Sequence, residues 1–316
     1  MDRSGFVERD AVPAGERVGA ASTAPEDVGR ESPDSAALPV NAMSVDVEEH
    51  FQVSAFIGAI DRSDWASIPS RLARNMDRIL RLFADHDTKA TFFTLGWVAE
   101  RNPEIVRRIV AEGHELASHG YDHARVWSQQ PQEFFEDVAR TKKILEDLSG
   151  QPVAGYRAPS FSITDETPWA HEMLAEAGYL YSSSIYPISH DHYGMPEAPR
   201  FPYRPSPDGI LEVPMTTTRF AGRNWPGAGG GYFRLLPSVY STSVVDRVHR
   251  RDGQPAIFYF HPWEVDAEQP RVSGIDLRSR VRHYSRLASF ERRLAGFLRR
   301  YRWSRMDYVF RDSLTP

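Results

Sequence analysis

Acidic side chains stand at the end of the first strand-like segment of the sequence. The segment SVDVE at residues 44–48 alternates, so Asp46 and Glu48 project from one face of a predicted strand. Two carboxylates this close repel each other unless a cation or a shared proton relieves them. A solvated strand end that runs into an acidic loop at Glu49 explains the same residues without chemistry. The pair alone therefore leaves a metal site and an ordinary surface both open.

Two histidines four residues apart follow another predicted strand, at residues 114–118. His119 and His123 can converge on one cation, and with a carboxylate they make a metal site that leaves positions open for water. The chain has no cysteine, so any bound metal must be held by imidazole and carboxylate groups. Surface histidines fall at this spacing by chance, but this pair stands at a strand end, as Asp46 does.

Two further strand ends carry single polar residues. Arg157 ends a predicted strand at 154–158, and its burial is costly without an anionic partner such as a catalytic carboxylate. A salt bridge on the rim of the fold is the plain alternative. His261 ends a very apolar strand at 256–260, where burial lowers the pKa of an imidazole and neighbouring carboxylates raise it. This position suits a general acid, although a lone core histidine commonly bonds only a backbone carbonyl.

Alternating strands and helices must bring these strand ends together. Hydrophobic periodicity predicts strands at 40–48, 90–95, 114–118, 154–158, 179–185 and 256–260, and helices at 70–84, 103–112, 131–148 and 169–177. The alternation predicts a parallel sheet that closes, or nearly closes, into a barrel. In such barrels the chemistry lies at the C-terminal ends of the strands, where the polar residues stand.

The charge of the chain is unevenly distributed. Residues 1–39 carry eight acidic side chains and four arginines, which account for most of the formal net charge of −5. The remainder is nearly neutral, which argues against a nucleic-acid partner. Residues 271–316 carry twelve arginines and four acidic residues. This basic C-terminus could contact anionic surfaces, but a solvated helix face is the interpretation we favour.

The composition also suggests how the chain is organised. Residues 1–38 lack a hydrophobic period and predict a disordered acidic leader, whose deletion should leave folding and activity unchanged. Residues 39–316 are then one catalytic domain with a basic C-terminal helical extension. The N-terminus lacks the pattern of a secretory signal, and no apolar run approaches the ~20 residues of a membrane span, so we expect a cytoplasmic protein.

Together the motifs resemble those of the NodB-homology polysaccharide deacetylases. That family has an Asp motif on its first strand, a His-x-x-x-His motif, an Arg-x-Pro motif and a late strand that ends in a catalytic His. The likeness is greatest to the subgroup associated with exosortase-linked (PEP-CTERM type) exopolysaccharide loci. It is carried by SVDVEEHFQV at 44–53, GGGYFR at 229–234 and FHPWE at 260–264. The resemblance runs from about Asn41 to the C-terminus.

The resemblance implies a fold and an activity. The fold is an α/β, distorted (β/α) barrel of the polysaccharide deacetylase type with about seven parallel strands. The activity is a metal-dependent hydrolysis that removes N-acetyl groups from the amino sugars of a polysaccharide, an exopolysaccharide or its precursor. A polysaccharide or oligosaccharide is thus the expected partner.

The resemblance also implies roles for residues of this sequence. Asp46 matches the catalytic base, Arg157 the arginine that holds the base, and His261 the general acid. His119 and His123 match metal ligands, and the implied metal is a divalent ion, zinc.

Substrate contacts are expected from loops near these motifs. The backbone N–H of Ser160 is expected to stabilise the oxyanion. Trp263 and Tyr232, together with Trp127 and Trp225, lie in predicted loops and could stack on sugar rings. Aromatic packing beneath loops explains the same residues.

The sequence departs from the family pattern at two places. Val47 stands where most members have a second, metal-binding aspartate, and Glu48 is the substitute because it shares a face with Asp46. The subgroup tends to have an aspartate where Tyr181, Ser182 and Ser183 stand here. The group that orients His261 is therefore not assigned.

Two other functions compete with the polysaccharide deacetylase. An allantoinase-like C–N hydrolase would act on a small cyclic amide in a closed pocket, whereas a polysaccharide enzyme needs an open groove. A non-catalytic sugar-binding barrel would be favoured by loss of a motif residue, and all five are present. The glycines at 229–231 do not follow the strand-to-helix pattern of a phosphate loop, so no nucleotide site is expected.

Overall fold

The computed structural model describes residues 38–190 and 193–314. Its strands are β1 Asn41–Val47, β2 Thr91–Thr94, β3 Glu115–Ser118, β4 Gly155–Tyr156, β5 Tyr181–Ser182, β6 Leu211–Glu212, β7 Thr217–Phe220, β8 Arg223–Pro226, β9 Ile257–Phe260 and β10 Trp303–Ser304. Its helices are α1 Leu72–Asp85, α2 Gly96–Arg101, α3 Pro103–Ala111, α4 Pro131–Ser149, α5 Ala170–Glu176, α6 Gly230–Leu235, α7 Ser238–Arg247, α8 Leu277–Tyr284, α9 Leu287–Arg300, α10 Met306–Val309 and α11 Arg311–Leu314. The predicted leader at 1–38 lies outside the described residues, apart from Leu38.

A parallel sheet organises the fold. Its strand order is β10-β1-β2-β3-β4-β5-β6, and β9 also pairs with β1. Each of these pairings is parallel, which confirms the predicted α/β barrel type. Parallel strands with intervening helices place all the strand C-termini, and hence the polar motifs, on one end of the sheet.

The sheet forms a half-barrel that does not close. Within the described residues no ladder joins β6 to β9. The chain between them forms the antiparallel hairpin β7–β8 and the helices α6 and α7. A side chain spans the gap, since Ile257 N donates to Thr216 Oγ1 at 2.6 Å. The structure thus confirms the α/β barrel type, with the barrel open between β6 and β9.

The predicted helices form because their apolar stripes face the sheet. In α1, Leu72, Met76, Ile79 and Phe83 are buried and pack in one core with Val45 of β1. The helix α2 is absent from our sequence prediction, because six residues are too few to show a stripe. The strands β4 and β5 are each two residues long, shorter than the predicted segments.

The basic C-terminus is part of the core as well as of the surface. Phe290, Leu294 and Phe297 of α9 are buried in the main hydrophobic cluster. The strand β10 then pairs with β1. The arginines of α9 lie on its outer side or bind carbonyls, as Arg293 does with Leu236 O at 2.7 Å. The solvated-face interpretation of these arginines stays a prediction. Among the described residues, no helix is long and apolar enough to cross a membrane.

Candidate active site

Three of the predicted ligands meet at the C-terminal end of the sheet. Glu48 follows β1, and His119 and His123 follow β3. One ligand atom of each residue lies within 4.8 Å of the others. Two imidazoles and one carboxylate are a donor set that Zn²⁺ accepts in catalytic sites. The predicted ligand group is thus assembled in space.

A backbone contact fixes the orientation of His119. Its Nδ1 donates to the carbonyl oxygen of Arg157 at 2.8 Å, which leaves Nε2 with a free lone pair. Burial lowers the pKa of His119 to about 4, against the raising effect of Asp46 and Glu48. The ring is therefore neutral near pH 7, as a metal-binding imidazole must be.

Glu48 is buried and its second oxygen has no satisfied hydrogen bond. Oε1 accepts from Trp263 Nε1 at 3.2 Å. Oε2 lies 3.0 Å from His123 Nε2, and it has no hydrogen bond of acceptable geometry among the described residues. Burial alone would raise the pKa of Glu48, but the charges of His123 and His261 lower it to about 2. An ionised, buried and unsatisfied oxygen beside imidazole nitrogens is the environment that a cation fits.

The backbone at His123 is strained. Its φ is 62°, in the left-handed region that residues other than glycine adopt rarely. Such conformations cost of order 1–3 kcal/mol and persist where the surroundings demand them. The imidazole of this residue lies with its Nε2 3.0 Å from Glu48 Oε2.

Asp46 is held by a buried arginine, as the sequence predicts. Arg157 is 0% exposed, and its Nη1 donates to Asp46 Oδ1 at 2.6 Å and to Ser44 Oγ at 2.9 Å. The guanidinium carbon also lies 4.0 Å from the centre of the Phe93 ring. The aromatic face and the carboxylate together supply the partners that a buried arginine needs.

The segment that lacks the subgroup aspartate supports Arg157 instead. Ser183 accepts from Arg157 Nε with its carbonyl oxygen and from Nη2 with its hydroxyl, both at 3.1 Å. The Ser183 hydroxyl donates to Val213 O at 2.9 Å. This segment therefore orients the arginine that holds Asp46.

His261 faces the same centre from β9. Its Nε2 lies 4.0 Å from Asp46 Oδ2 and 3.7 Å from Glu48 Oε1. Burial lowers the pKa of His261, but a hydrogen bond to Glu264 and the charges of Glu48 and Asp46 raise it to about 9. The ring is then protonated near neutral pH, which is the state that a proton donor needs.

The partner of His261 is absent from our sequence predictions. Glu264 Oε1 accepts from His261 Nδ1 at 3.0 Å, and Arg234 Nε donates to Glu264 Oε2 at 2.7 Å. Both residues lie in stretches that the resemblance singled out, GGGYFR and FHPWE. A carboxylate three residues beyond a strand-ending histidine is the sequence signal that could have identified Glu264.

Two family models match this chain. Residues 66–181 match the model described as polysaccharide deacetylase, and residues 183–311 match a domain of unknown function, DUF3473. A peptidoglycan-N-acetylglucosamine deacetylase of Bacillus cereus is 36% identical over 96 residues, which are 30% of this chain and 35% of that relative. A chitooligosaccharide deacetylase of Bradyrhizobium sp. is 26% identical over 184 residues, 58% of this chain and 75% of that protein. These matches support the polysaccharide deacetylase family.

Structural comparison agrees on the fold. A crystal structure of a candidate polysaccharide deacetylase from Mycobacterium smegmatis aligns with a TM-score of 0.55 and 20% identity, covering 89% of this chain and 96% of that one. The chain spans 35% of the length of the Bacillus cereus relative, and 17% of a Listeria monocytogenes peptidoglycan deacetylase that it matches at 36% identity. The likeness to these relatives is therefore local, whereas the fold agrees over nearly the whole domain.

The site draws on more than the polysaccharide deacetylase match. His119, His123 and Arg157 lie within residues 66–181, but Asp46 and Glu48 precede that range. His261, Glu264 and Arg234 belong to the DUF3473 match. His261 and the side chains that hold it thus come from a region that the deacetylase model does not cover.

Trp263 was predicted to stack on a sugar ring, but the structure buries its side chain. Trp263 is 5% exposed and stacks against His261 at 4.9 Å and His283 at 4.2 Å between ring centres. A sugar ring cannot reach it, because the short turn after β9 packs the indole beneath the site. Its Nε1 also donates to Glu48 Oε1 at 3.2 Å, so the indole supports a residue of the ligand group.

The other residues that were predicted to contact substrate lie in different kinds of secondary structure. Tyr232 lies in α6 and Trp225 in β8, not in loops, and both line an open groove of about 1120 Å³. Trp127 lies in a short 3-10 turn. Ser160 has a φ of 56° and its hydroxyl contacts the Ser54 hydroxyl at 2.5 Å. Its role as an oxyanion donor stays a prediction.

Glu49 has a structural contact in place of a ligand role. Its carboxylate accepts from the Ser70 hydroxyl and from the backbone N–H of Arg71 at 3.2 Å. Arg71 is the residue directly before α1. The carboxylate therefore caps the start of that helix, and it does not belong to the group of candidate ligands.

Proposed function

We propose that this protein is a metal-dependent hydrolase that removes N-acetyl groups from amino sugars of a polysaccharide, an exopolysaccharide or its precursor. The observation that carries the proposal is the convergence of a held carboxylate, a ligand group and a proton donor within about 4 Å. Asp46, Glu48 and His261 meet at this point. Amide hydrolysis needs a base, an electrophile and an acid in one place.

Zinc is the metal that we propose for the ligand group. Glu48, His119 and His123 would hold it, and their donor types are those of catalytic zinc sites with an open position. When bound, such an ion polarises the amide carbonyl and lowers the pKa of water. The unsatisfied Oε2 of Glu48 supports the fit, because a buried acceptor of this kind needs a partner.

Two residues of the chain would carry out the two proton transfers of the reaction. Asp46, kept in place by Arg157, accepts a proton from the attacking water. His261 donates a proton from Nε2 to the leaving nitrogen. The products are acetate and a free amino sugar. Because the Asp46 and His261 groups are 4.0 Å apart, they can act on the oxygen and the nitrogen that are bonded to one tetrahedral carbon.

The substrates named for the relatives favour a polymer over a small cyclic amide. The open groove at Trp225, Tyr232 and Tyr240 is lined by none of the residues of the candidate site, so it does not decide between the two substrates. The relatives named above act on peptidoglycan and on chitooligosaccharide, and both names specify deacetylation. An N-acetylated glycan is the substrate class that these names have in common.

Acetate release and metal content test the proposal together. Purified protein should contain about one zinc per chain and release acetate from N-acetylglucosamine oligomers, and chelation followed by zinc addition should remove and restore this activity. Asp46→Asn is the matched inactive control, because it keeps the ligand group. A wild-type protein that binds zinc and hydrolyses small cyclic or linear amides, but releases no acetate from the oligomers, would refute the polysaccharide assignment.

A further inference from the structure

His261 is held from behind by a carboxylate of its own turn. Glu264 Oε1 accepts from Nδ1 of His261 at 3.0 Å and from its backbone N–H at 3.1 Å. Glu264 is completely buried. A carboxylate can only accept here, so Nδ1 carries the proton of this contact. Nε2 is then the nitrogen that faces Asp46 and Glu48.

Arg234 fixes Glu264 in turn. Its Nε donates to Glu264 Oε2 at 2.7 Å. Its other nitrogens donate to the carbonyl oxygens of Arg282, His283 and Ser285 at 3.0, 3.0 and 2.7 Å. A guanidinium tied to three carbonyls cannot follow the carboxylate if it moves, so it defines the position of Glu264.

The glycines before Arg234 make room for this contact. A Cβ on Gly230 would lie 2.1–2.4 Å from the Glu264 carboxylate, closer than any side chain tolerates. Gly229 has a φ of 101°, and a Cβ there would lie 2.8 Å from the ring of Tyr259. The close approach of α6 to the turn after β9 therefore requires glycine. The contact accounts for Gly229 and Gly230, whereas Gly231 has open space where a Cβ would stand.

We propose that Glu264, fixed by Arg234 and admitted by Gly230, is the positioning residue of the proton donor His261. The inference rests on the proposed deacetylase function. It places the support of His261 on its own turn, and not on the segment at 181–183 where the subgroup tends to have an aspartate. That segment is already occupied in holding Arg157.

The role of Glu264 concerns the step that breaks the amide bond. When the C–N bond of the tetrahedral adduct breaks, its electron pair stays on nitrogen, which takes the Nε2 proton of His261. The proton that Asp46 accepted from water balances the one that His261 gives. Glu264 keeps Nδ1 protonated and the ring directed at the leaving nitrogen throughout.

Glu264→Gln is the direct test, because it removes the charge and keeps the size. We expect the kcat for acetate release from N-acetylglucosamine oligomers to fall by about 10²-fold or more, with KM and zinc content nearly unchanged. Glu268→Gln is the matched control. Glu268 is exposed, lies four residues further on and pairs only with Arg74 among the described residues. Its activity should equal that of the wild type.

Two measurements separate positioning from a general loss of structure. In the His261→Ala background, Glu264→Gln should cause no further loss, because it acts through His261. Hydrolysis of p-nitrophenyl acetate should also persist in Glu264→Gln, since its phenolate leaves without a proton. The inference would be overturned if the rate losses of the two single variants multiplied in the double variant. It would also be overturned if Glu264→Gln lost equal activity on the ester and on the amide. If Glu264→Gln fails to fold, Glu264→Asp keeps a charge opposite Arg234 and enters the same double-mutant cycle.

Histidine NMR gives a readout that does not need activity. With ¹⁵N-labelled histidine, wild-type His261 should show a protonated Nδ1 with a strongly hydrogen-bonded, downfield proton that Glu264→Gln lacks. The same downfield signal in Glu264→Gln would overturn the positioning role. A zinc-loaded wild type with this signal but no acetate release would instead refute the proposed function and leave the positioning of His261 supported.

Discussion

Replacement of Arg157 by methionine tests the connection between the base and the ligand group. Methionine has a similar length but no charge, so the variant leaves Asp46 buried without its cation and Ser183 O without a donor. Removal of one partner from a buried ion pair costs about 3–5 kcal/mol. At about 2–4 °C per kcal/mol for a domain of this size, the melting temperature should fall by roughly 6–20 °C.

The same variant should keep its metal. His119 is oriented by the carbonyl oxygen of residue 157, which the substitution leaves in place. Acetate release should therefore fall sharply, because Asp46 loses the group that holds it, while the zinc content per chain stays near that of the wild type. Urea unfolding, elemental analysis and an acetate assay on one preparation measure the three effects.

The double variant Asp46→Asn with Arg157→Met is the control for the stability effect. It removes both charges, so no unpaired ion stays buried and much of the lost stability should return. The coupling energy between the two sites should reach about 0.5–3 kcal/mol. A single Arg157→Met variant that loses less than about 1 kcal/mol would refute the buried pair as the main support of Asp46. Loss of zinc in that variant would show that the side chain, and not the carbonyl, organises the ligands.

Three further predictions test separate parts of the molecule. Asp46→Asn and His261→Ala should each lower acetate release by about 10²–10⁴-fold and keep the zinc, since neither belongs to the ligand group, and zinc loss in either would contradict that division. Glu48→Ala should lose zinc and activity together. Glu49→Ala should keep both, but its free energy of unfolding should fall by about 0.5–2 kcal/mol because a helix cap is lost. Zinc loss in Glu49→Ala with zinc retained in Glu48→Ala would make Glu49 the ligand. Burial lowers the pKa of His114 from 6.5 to about 4, so the folded protein holds this imidazole neutral. The neutral His114 therefore contributes fully to the free energy of unfolding above pH 6.5. This contribution, up to about 3 kcal/mol, is lost as the pH falls towards 4. Urea unfolding across this range checks it, and an unchanged acid loss in His114→Asn would exclude His114 as the cause.

The sequence by itself determined the alternation of elements and the residues at the strand ends. Apolar periodicity and side-chain alternation are local properties, so they located α1 and β1 and placed Asp46 and Glu48 on one face. A parallel sheet gathers its strand C-termini at one end, which was enough to predict that His119, His123, Arg157 and His261 would meet them.

Only the tertiary structure decided which side chains support those residues. Arg234 and Glu264 are thirty positions apart, and their contact depends on how closely α6 approaches the turn after β9. Trp263 was expected to face substrate, and packing placed it beneath Glu48. Ser183 holds Arg157 although its type carries no charge to mark it. The residues at the strand ends can be located from the periodicity of the sequence. The side chains that hold them are brought into contact by the packing of distant segments, which no local sequence pattern encodes.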